Sequence, residues 1–222
     1  MTEQPILITG GTGKVGGRAV AQLGAKGVAV RVGSRSGDPR FDWVDRSTWD
    51  AALDGVKKVF VVPQDGEQLT RPFVRRAKEL GVERIVLLSG RGADVPGYAK
   101  EDSIAGRTHI DGEDAVHNSG LEWTVVRPAW FAQNFSEGFF RDSVIGGELR
   151  LPAGDGAASF VDALIAEGWP EADAEDYADS VGPIRRDMDS HLSDGVQTAL
   201  GRPPRSFVLF VKEAAAAGAW RD

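Results

Sequence analysis

Three glycines, Gly10, Gly13 and Gly16, follow the apolar run Ile6-Leu7-Ile8 and open a stretch of helical periodicity. A chain that lays a dinucleotide pyrophosphate on a helix N-terminus needs that order of residues. Gly10 permits the tight turn, Gly13 lets the backbone approach the phosphates, and Gly16 lets the helix pack close to the sheet. The free N–H groups and the positive end of the helix dipole then face the anion. Glycine makes up 28 of the 222 residues, so the string alone says little. The strand before it and the helix after it give it meaning.

In an open α/β sheet, ligands bind beyond the carboxyl ends of the strands. The residues that follow each apolar run are therefore the other candidates. Thr12 lies in the glycine loop, and Ser34-Arg35-Ser36 follows Val28–Val32. An NAD site usually places a carboxylate at that second position for the ribose 2′-hydroxyl. An arginine fork suits a 2′-phosphate instead, so NADPH is expected over NADH. The alternative is a solvated loop arginine. Asp38 lies beyond Gly37, too far along the loop. Asp42-Trp43 would stand near the adenine, or would equally close an edge of the core. Val62 and Pro63, at the end of the run from Val59, are placed beside the cofactor.

Catalytic groups are harder to find. A proton-donating Tyr-x-x-x-Lys pair is missing: Tyr98-Ala99-Lys100 has a spacing that points the two side chains to different sides of a helix, and it adjoins Pro96-Gly97. Ser89, after Arg84–Leu88, would bond a substrate oxygen or the nicotinamide amide, or else cap a turn. His109, one turn before Glu113, would serve as proton donor, or as a surface partner of that glutamate. Past Trp123–Val126 come Arg127-Pro128-Ala129-Trp130 and then Phe131-Ala132-Gln133-Asn134-Phe135. Trp130 and Asn134 are assigned to the pocket, and Phe135, Phe139 and Phe140 to core packing.

The elements that must position these residues alternate between strand and helix. Strands are expected at Ile6–Ile8, Val28–Val32, Val59–Val62, Arg84–Leu88 and Trp123–Val126, with a weak one at Phe41–Val44. Amphipathic stretches at Lys14–Leu23, Glu67–Leu80 and Ile104–Asn118 lie between them. The pattern predicts an α/β, Rossmann-like, doubly wound parallel sheet. After the turn residues Leu151–Gly156, helices are expected at Phe160–Glu167, Ala172–Ser180, Ile184–Leu200 and Phe207–Ala217. Breaks are expected at 168–170 and 182–183, and Ser206 is expected to cap the last helix. The boundary is therefore drawn between residues 1–156, a dinucleotide-binding domain, and residues 157–222, a helical substrate or lid region.

Composition narrows the classes. The net charge of −7 argues against nucleic acid. The chain has no cysteine, which excludes disulfides, thiolate nucleophiles and cysteine-ligated metals. His109, His117 and His191 form no metal spacing, so no metal is expected. There is no signal peptide and no apolar run of membrane-spanning length, so a cytoplasmic protein without a membrane partner is expected.

Together these residues resemble the NmrA-like, atypical short-chain dehydrogenase/reductase family, particularly its NADPH-dependent quinone-reductase-like members. The carrying motifs are Thr9-Gly10-Gly11-Thr12-Gly13-Lys14-Val15-Gly16, Gly33-Ser34-Arg35-Ser36-Gly37, Ser119-Gly120-Leu121-Glu122-Trp123-Thr124-Val125-Val126-Arg127-Pro128 with Trp130–Phe135, and Leu200–Phe207. The resemblance covers residues 4–156 and resumes at about 160. It implies an NAD(P)-binding sheet without the Tyr-Lys pair. Gly10, Thr12, Gly13, Lys14, Val15 and Gly16 would form the pyrophosphate loop, with Ser34 and Arg35 at the 2′-phosphate. Relatives usually continue past Leu151–Gly156 with a further strand–helix–strand portion; here the chain passes directly to the C-terminal helices. The pocket is then more open, or is completed by a second subunit in a homodimer. The expected activity is hydride transfer from NADPH to a flat conjugated carbonyl, a quinone or polycyclic aromatic ketone, as in natural-product tailoring of aromatic polyketides. The competing readings are a redox sensor that binds NADP without catalysis, and an oxygenase or isomerase on the same fold.

Overall fold

In the computed structural model, which describes residues 4–138, 140–148, 157–188 and 190–221, five strands form one parallel sheet. They are β1 (Ile6–Thr9), β2 (Val30–Gly33), β3 (Lys58–Val61), β4 (Arg84–Leu88) and β5 (Glu122–Val126), in the order β2-β1-β3-β4-β5. The connecting helices are α1 (Lys14–Ala25), α2 (Trp49–Leu53), α3 (Thr70–Glu79) and α4 (Asp111–His117). This is the Rossmann-like architecture that the alternating pattern predicts. The order reverses at β1, whose neighbours are β2 on one side and β3 on the other, so a crevice opens between β1 and β3 at their carboxyl ends.

Alternation along the strands sends Leu7, Val59, Val61, Ile85 and Leu87 to one face, where they meet Trp49, Leu53, Phe73, Val74 and Val116 from α2, α3 and α4. The residues on this face are apolar because these helices bury it. At one end of this core the rings of Phe41, Trp43, Trp49 and Phe73 meet edge to face, with centroids 5.0–6.2 Å apart. Each such pair adds about 0.5–1.5 kcal/mol beyond burial.

The weak strand expected at Phe41–Val44 does not form. Backbone groups there are satisfied by side chains instead of a ladder: Asp42 N–H donates to Thr48 Oγ1 at 2.9 Å, and Trp49 Nε1 donates to the Asp42 carbonyl at 2.9 Å. The aromatic spacing that suggests a strand serves the core.

The chain divides into two compact units, Met1–Pro128 and Ala129–Asp222. The sequence reading draws its boundary after Gly156; Leu151–Gly156 and Phe139 lie outside the described residues. The second unit contains α5 (Arg141–Ile145), α6 (Ala157–Ala166), α7 (Glu171–Arg185), α8 (Gly195–Leu200) and α9 (Phe207–Ala216). Helices α6 and α7 pack as a hairpin across the expected break at 168–170, burying Leu164, Ala174 and Val181. The break expected at 182–183 is not there: Pro183 sits inside α7. It falls in the last turn, so little of the helix remains beyond the bond its missing N–H cannot make. The single helix expected over 184–200 is two pieces, because Asp187 adopts a left-handed φ of 57° and ends α7. Ser206 caps α9 as expected, its hydroxyl accepting from Leu209 N–H at 3.2 Å.

Candidate active site

The glycine loop leads from β1 into α1 with geometry that leaves the helix N-terminus open. Gly10 has a φ of 58°, a conformation that only glycine adopts without cost. A Cβ on Gly16 would lie 2.2 Å from the Gly10 carbonyl oxygen, so this helix cannot approach the loop with any side chain there. Gly13 is the N-cap and supplies no side-chain cap, and no acidic residue occupies the first turn. The first N–H groups of α1 therefore face outward with an uncancelled dipole. Thr12, Gly13 and Lys14 are exposed around this end, Val15 is half-buried, and Gly16 is buried.

Across the crevice, Thr9 joins the ends of β1 and β3. Its hydroxyl accepts from Val62 N–H at 2.8 Å and donates to the Val62 carbonyl at 3.0 Å. This buried residue stands inside the glycine motif, yet its type alone does not announce the clamp. The Val62 carbonyl also accepts from Trp43 Nε1 at 3.2 Å. Trp43 is thus a buried buttress of the crevice floor, and of its two sequence readings the structure favours the core edge over the adenine. The Asp42 carboxylate pairs with Arg40 at 2.8 Å and accepts from Val44 N–H at 3.2 Å. Val62 and Pro63 are half-buried at the rim.

At the end of β2, Ser34 is buried and its carbonyl accepts from the N–H groups of Gly37 at 3.0 Å and Phe41 at 2.8 Å. Those bonds fold the loop back and leave Arg35 exposed. Among the described residues no hydrogen bond or ion pair engages its guanidinium.

The loop after β4 holds the least expected chemistry. Ser89 is 3% exposed, and its hydroxyl donates to Glu113 Oε1 at 2.5 Å. Glu113 in turn receives Arg127 through Nε at 2.8 Å and Nη2 at 2.5 Å, and Arg127 Nη1 reaches Asp94 at 3.0 Å. Burial would push the Glu113 carboxyl up, but its bonds from Arg127 and Ser89 outweigh that and hold it below the usual value. Glu113 is therefore an ionised tie between β4, α4 and β5, and not the surface partner of His109. Serine's proton is already spent on it.

His109 stands on a π-helical turn, Gly106–Ile110, that leads into α4. The ring lies over Gly90, where a Cβ would sit 2.9 Å from its Cδ2. Its Nδ1 is buried without a hydrogen-bond partner. Loss of hydration lowers its pKa, although the charges of Asp65 and Glu113 pull the other way. The same turn clamps the loop after β3: Thr108 Oγ1 accepts from Gly66 N–H at 2.7 Å, and Arg107 Nε donates to the Gly66 carbonyl at 2.8 Å. Tyr98 packs its ring on Gly92 in the loop after β4, away from any helix.

In the second unit, Trp130 is half-buried and stacks on Phe140 with centroids 6.0 Å apart. Phe135 meets Phe140 at 5.2 Å and Phe207 at 5.4 Å, which is the core packing expected of these phenylalanines. Asn134 lies on a 3-10 turn, Ala132–Phe135, its carbonyl accepting from Phe140 N–H at 3.1 Å. Among the described residues no helix is long and apolar enough to cross a membrane, and no group of three or more His, Cys, Asp or Glu could hold a metal ion.

Comparison with known proteins agrees with this geometry. Residues 10–143 match the model of a family described as NAD(P)H-binding. Prestalk A differentiation protein A of Dictyostelium discoideum is 34% identical over 179 residues, 72% of this chain but 56% of that protein. The chain thus spans little more than half the length of this relative. The NAD(P)H azoreductase of Xenophilus azovorans is 28% identical over 94% of this chain and 78% of its own. Among solved structures, the NADPH-dependent quinone oxidoreductase of Escherichia coli complexed with NADPH superposes with a TM-score of 0.73. It is 17% identical, over 96% of this chain and 99% of that one.

Proposed function

The chain belongs to the NmrA-like family of NAD(P)H-binding proteins, and from that premise we propose that it is an NADPH-dependent reductase of a flat conjugated carbonyl, a quinone or polycyclic aromatic ketone. One observation carries the cofactor half of the reading: the uncapped N-terminus of α1 and the unengaged Arg35 stand at the carboxyl ends of the neighbouring strands β1 and β2. The first suits a pyrophosphate and the second a 2′-phosphate. Gly10, Thr12, Gly13, Lys14, Val15 and Gly16 would hold the pyrophosphate, and Ser34 and Arg35 the ribose phosphate. Bound there, a reduced nicotinamide supplies the hydride.

The chain's own contribution is orientation and a weak donor. Reducing a quinone leaves an oxyanion spread over the ring system, which needs no strong acid. His109, kept neutral near pH 7 by its lowered pKa, retains one N–H to offer. Ser89 acts in this reading by positioning the rim, since its proton goes to Glu113. Trp130 is the proposed platform for the acceptor, with Asn134 beside it in sequence.

The test is steady NADPH consumption with an aromatic quinone. Trp130→Ala should lower kcat/KM by roughly tenfold to a hundredfold, for about 1–3 kcal/mol of stacking and buried area, with little change in NADPH affinity. Tyr98→Phe should be nearly silent. If Tyr98→Phe abolished turnover and Trp130→Ala did not, the acid would lie in the loop after β4 instead. Stoichiometric NADPH binding without consumption by any quinone would identify a dinucleotide sensor.

A further inference from the structure

A second concavity lies at the other end of the strands from the cofactor crevice. It is a groove of about 370 Å³ between α1 and the sheet, within the range of roughly 300–1,000 Å³ for small-molecule sites. Phe60 and Val86 line it from the face opposite the one that carries Val59, Val61, Ile85 and Leu87 into the core. Leu23 of α1 completes an apolar lining.

The mouth is cationic. Lys58 and Arg84 are the first residues of β3 and β4 and are paired in register, so two like charges stand side by side. Such neighbours destabilise a sheet. Glu122, next in register, reaches Arg84 at only 3.4 Å, with both side chains largely exposed. Lys26, the residue that ends α1, brings a third cation. Among the described residues no hydrogen bond or ion pair engages the side-chain ammonium of Lys26 or of Lys58. The whole chain carries a net charge of −7. Three cations at the mouth of an apolar groove therefore run against the general charge of the molecule, and they fit a ligand with an apolar body and an anionic head.

We propose that this groove binds a free aliphatic carboxylic acid of medium chain length. Its chain would lie against Leu23, Phe60 and Val86, and its carboxylate among Lys26, Lys58 and Arg84. The glycine loop is at the opposite end of α1, about 18 Å away for a helix of this length. Acid and dinucleotide therefore occupy the protein together.

Dodecanoate titrated calorimetrically into the 222-residue chain, below its micelle concentration, tests the proposal. Saturable binding at one site per chain is expected, unchanged by saturating NADPH. Dodecanol, with the same chain and no charge, should bind roughly five- to tenfold more weakly, and Lys26→Gln with Lys58→Gln should weaken dodecanoate by a similar factor. Ala19→Phe, which adds a ring to the groove wall, should reduce binding while NADPH affinity stays as in the wild type. Four results would overturn the proposal: no dodecanoate binding, equal affinity for dodecanol, indifference to the double lysine variant, or displacement by NADPH. A concentration-dependent dimer that the lysine variant dissociates would also overturn it, assigning the groove to a second copy of the chain.

Discussion

Arg35 and Trp43 show how differently two polar or aromatic residues near one rim are used. Arg35 is held out from the end of β2 by the two bonds that Ser34 accepts, and nothing among the described residues engages it. A bidentate, charge-assisted contact with a 2′-phosphate contributes about 1.5–3 kcal/mol. Wild-type protein should therefore bind NADPH at least roughly tenfold more tightly than NADH, and Arg35→Ala should lose most of that preference. Equal wild-type affinities in a fluorescence titration would remove Arg35 from the site. Trp43, a few residues on, is 8% exposed and donates to the floor of the crevice, so it acts on the site through Val62.

At the scale of the element, the glycine loop and α1 work as one part, and its glycines answer to different constraints. A Cβ at Gly13 would lie 3.2 Å from the Gly10 carbonyl oxygen, a tight contact at an exposed position. Gly13→Val should then leave the thermal midpoint close to wild type while abolishing dinucleotide binding, because its methyl groups occupy the phosphate's space. Gly16→Ala is the contrasting case. Its Cβ would meet the loop backbone at 2.2 Å, so α1 must move. Overpacking of that kind costs about 1–3 kcal/mol, and differential scanning calorimetry should record a midpoint lowered by several degrees along with weaker binding. If Gly13→Val bound NADPH normally, the loop would be only a turn.

For the molecule as a whole, acid should unfold the sheet unit in two recognisable stages. His109 ordinarily titrates near 6.5, and burial lowers its folded value. The unfolded chain then binds a proton that the folded chain refuses, so stability falls as pH drops below about 6.5. Glu113 sits below its ordinary 4.5, where its bonds from Arg127 and Ser89 outweigh burial. Its contribution is fully present above that value and is lost as pH falls through the folded pKa. Glu113→Gln should cost about 1.5–3 kcal/mol at neutral pH, and its unfolding curve should converge on that of wild type once the pH has fallen through the lowered folded pKa of Glu113. A deficit that stayed constant down to strong acid would mean that the charge of Glu113 is irrelevant. His109→Gln should remove the decline that begins near neutrality.

Strand and helix alternation, the glycine loop and the Ser34-Arg35-Ser36 turn are all local patterns, and each was legible in the sequence for that reason. Period-two and period-3.6 hydrophobicity report which face is buried, and the glycine spacing reports a backbone that no side chain could follow. What those patterns do not contain is which distant residues meet. Glu113 reads as a helix-surface acid at i+4 from His109; packing of α4 against β4 and β5 turns it to Ser89 and Arg127 instead. Phe41-Asp42-Trp43-Val44 reads as a strand, and the rings of Trp49 and Phe73 draw it into the core. Thr9 becomes a clamp only because β3 lies beside β1. The cationic groove likewise exists only in the register that sets Lys58 beside Arg84, 26 residues apart in the chain. Local conformation is dictated by neighbours in sequence, whereas a buried charge, a clamp or a cavity is dictated by neighbours in space.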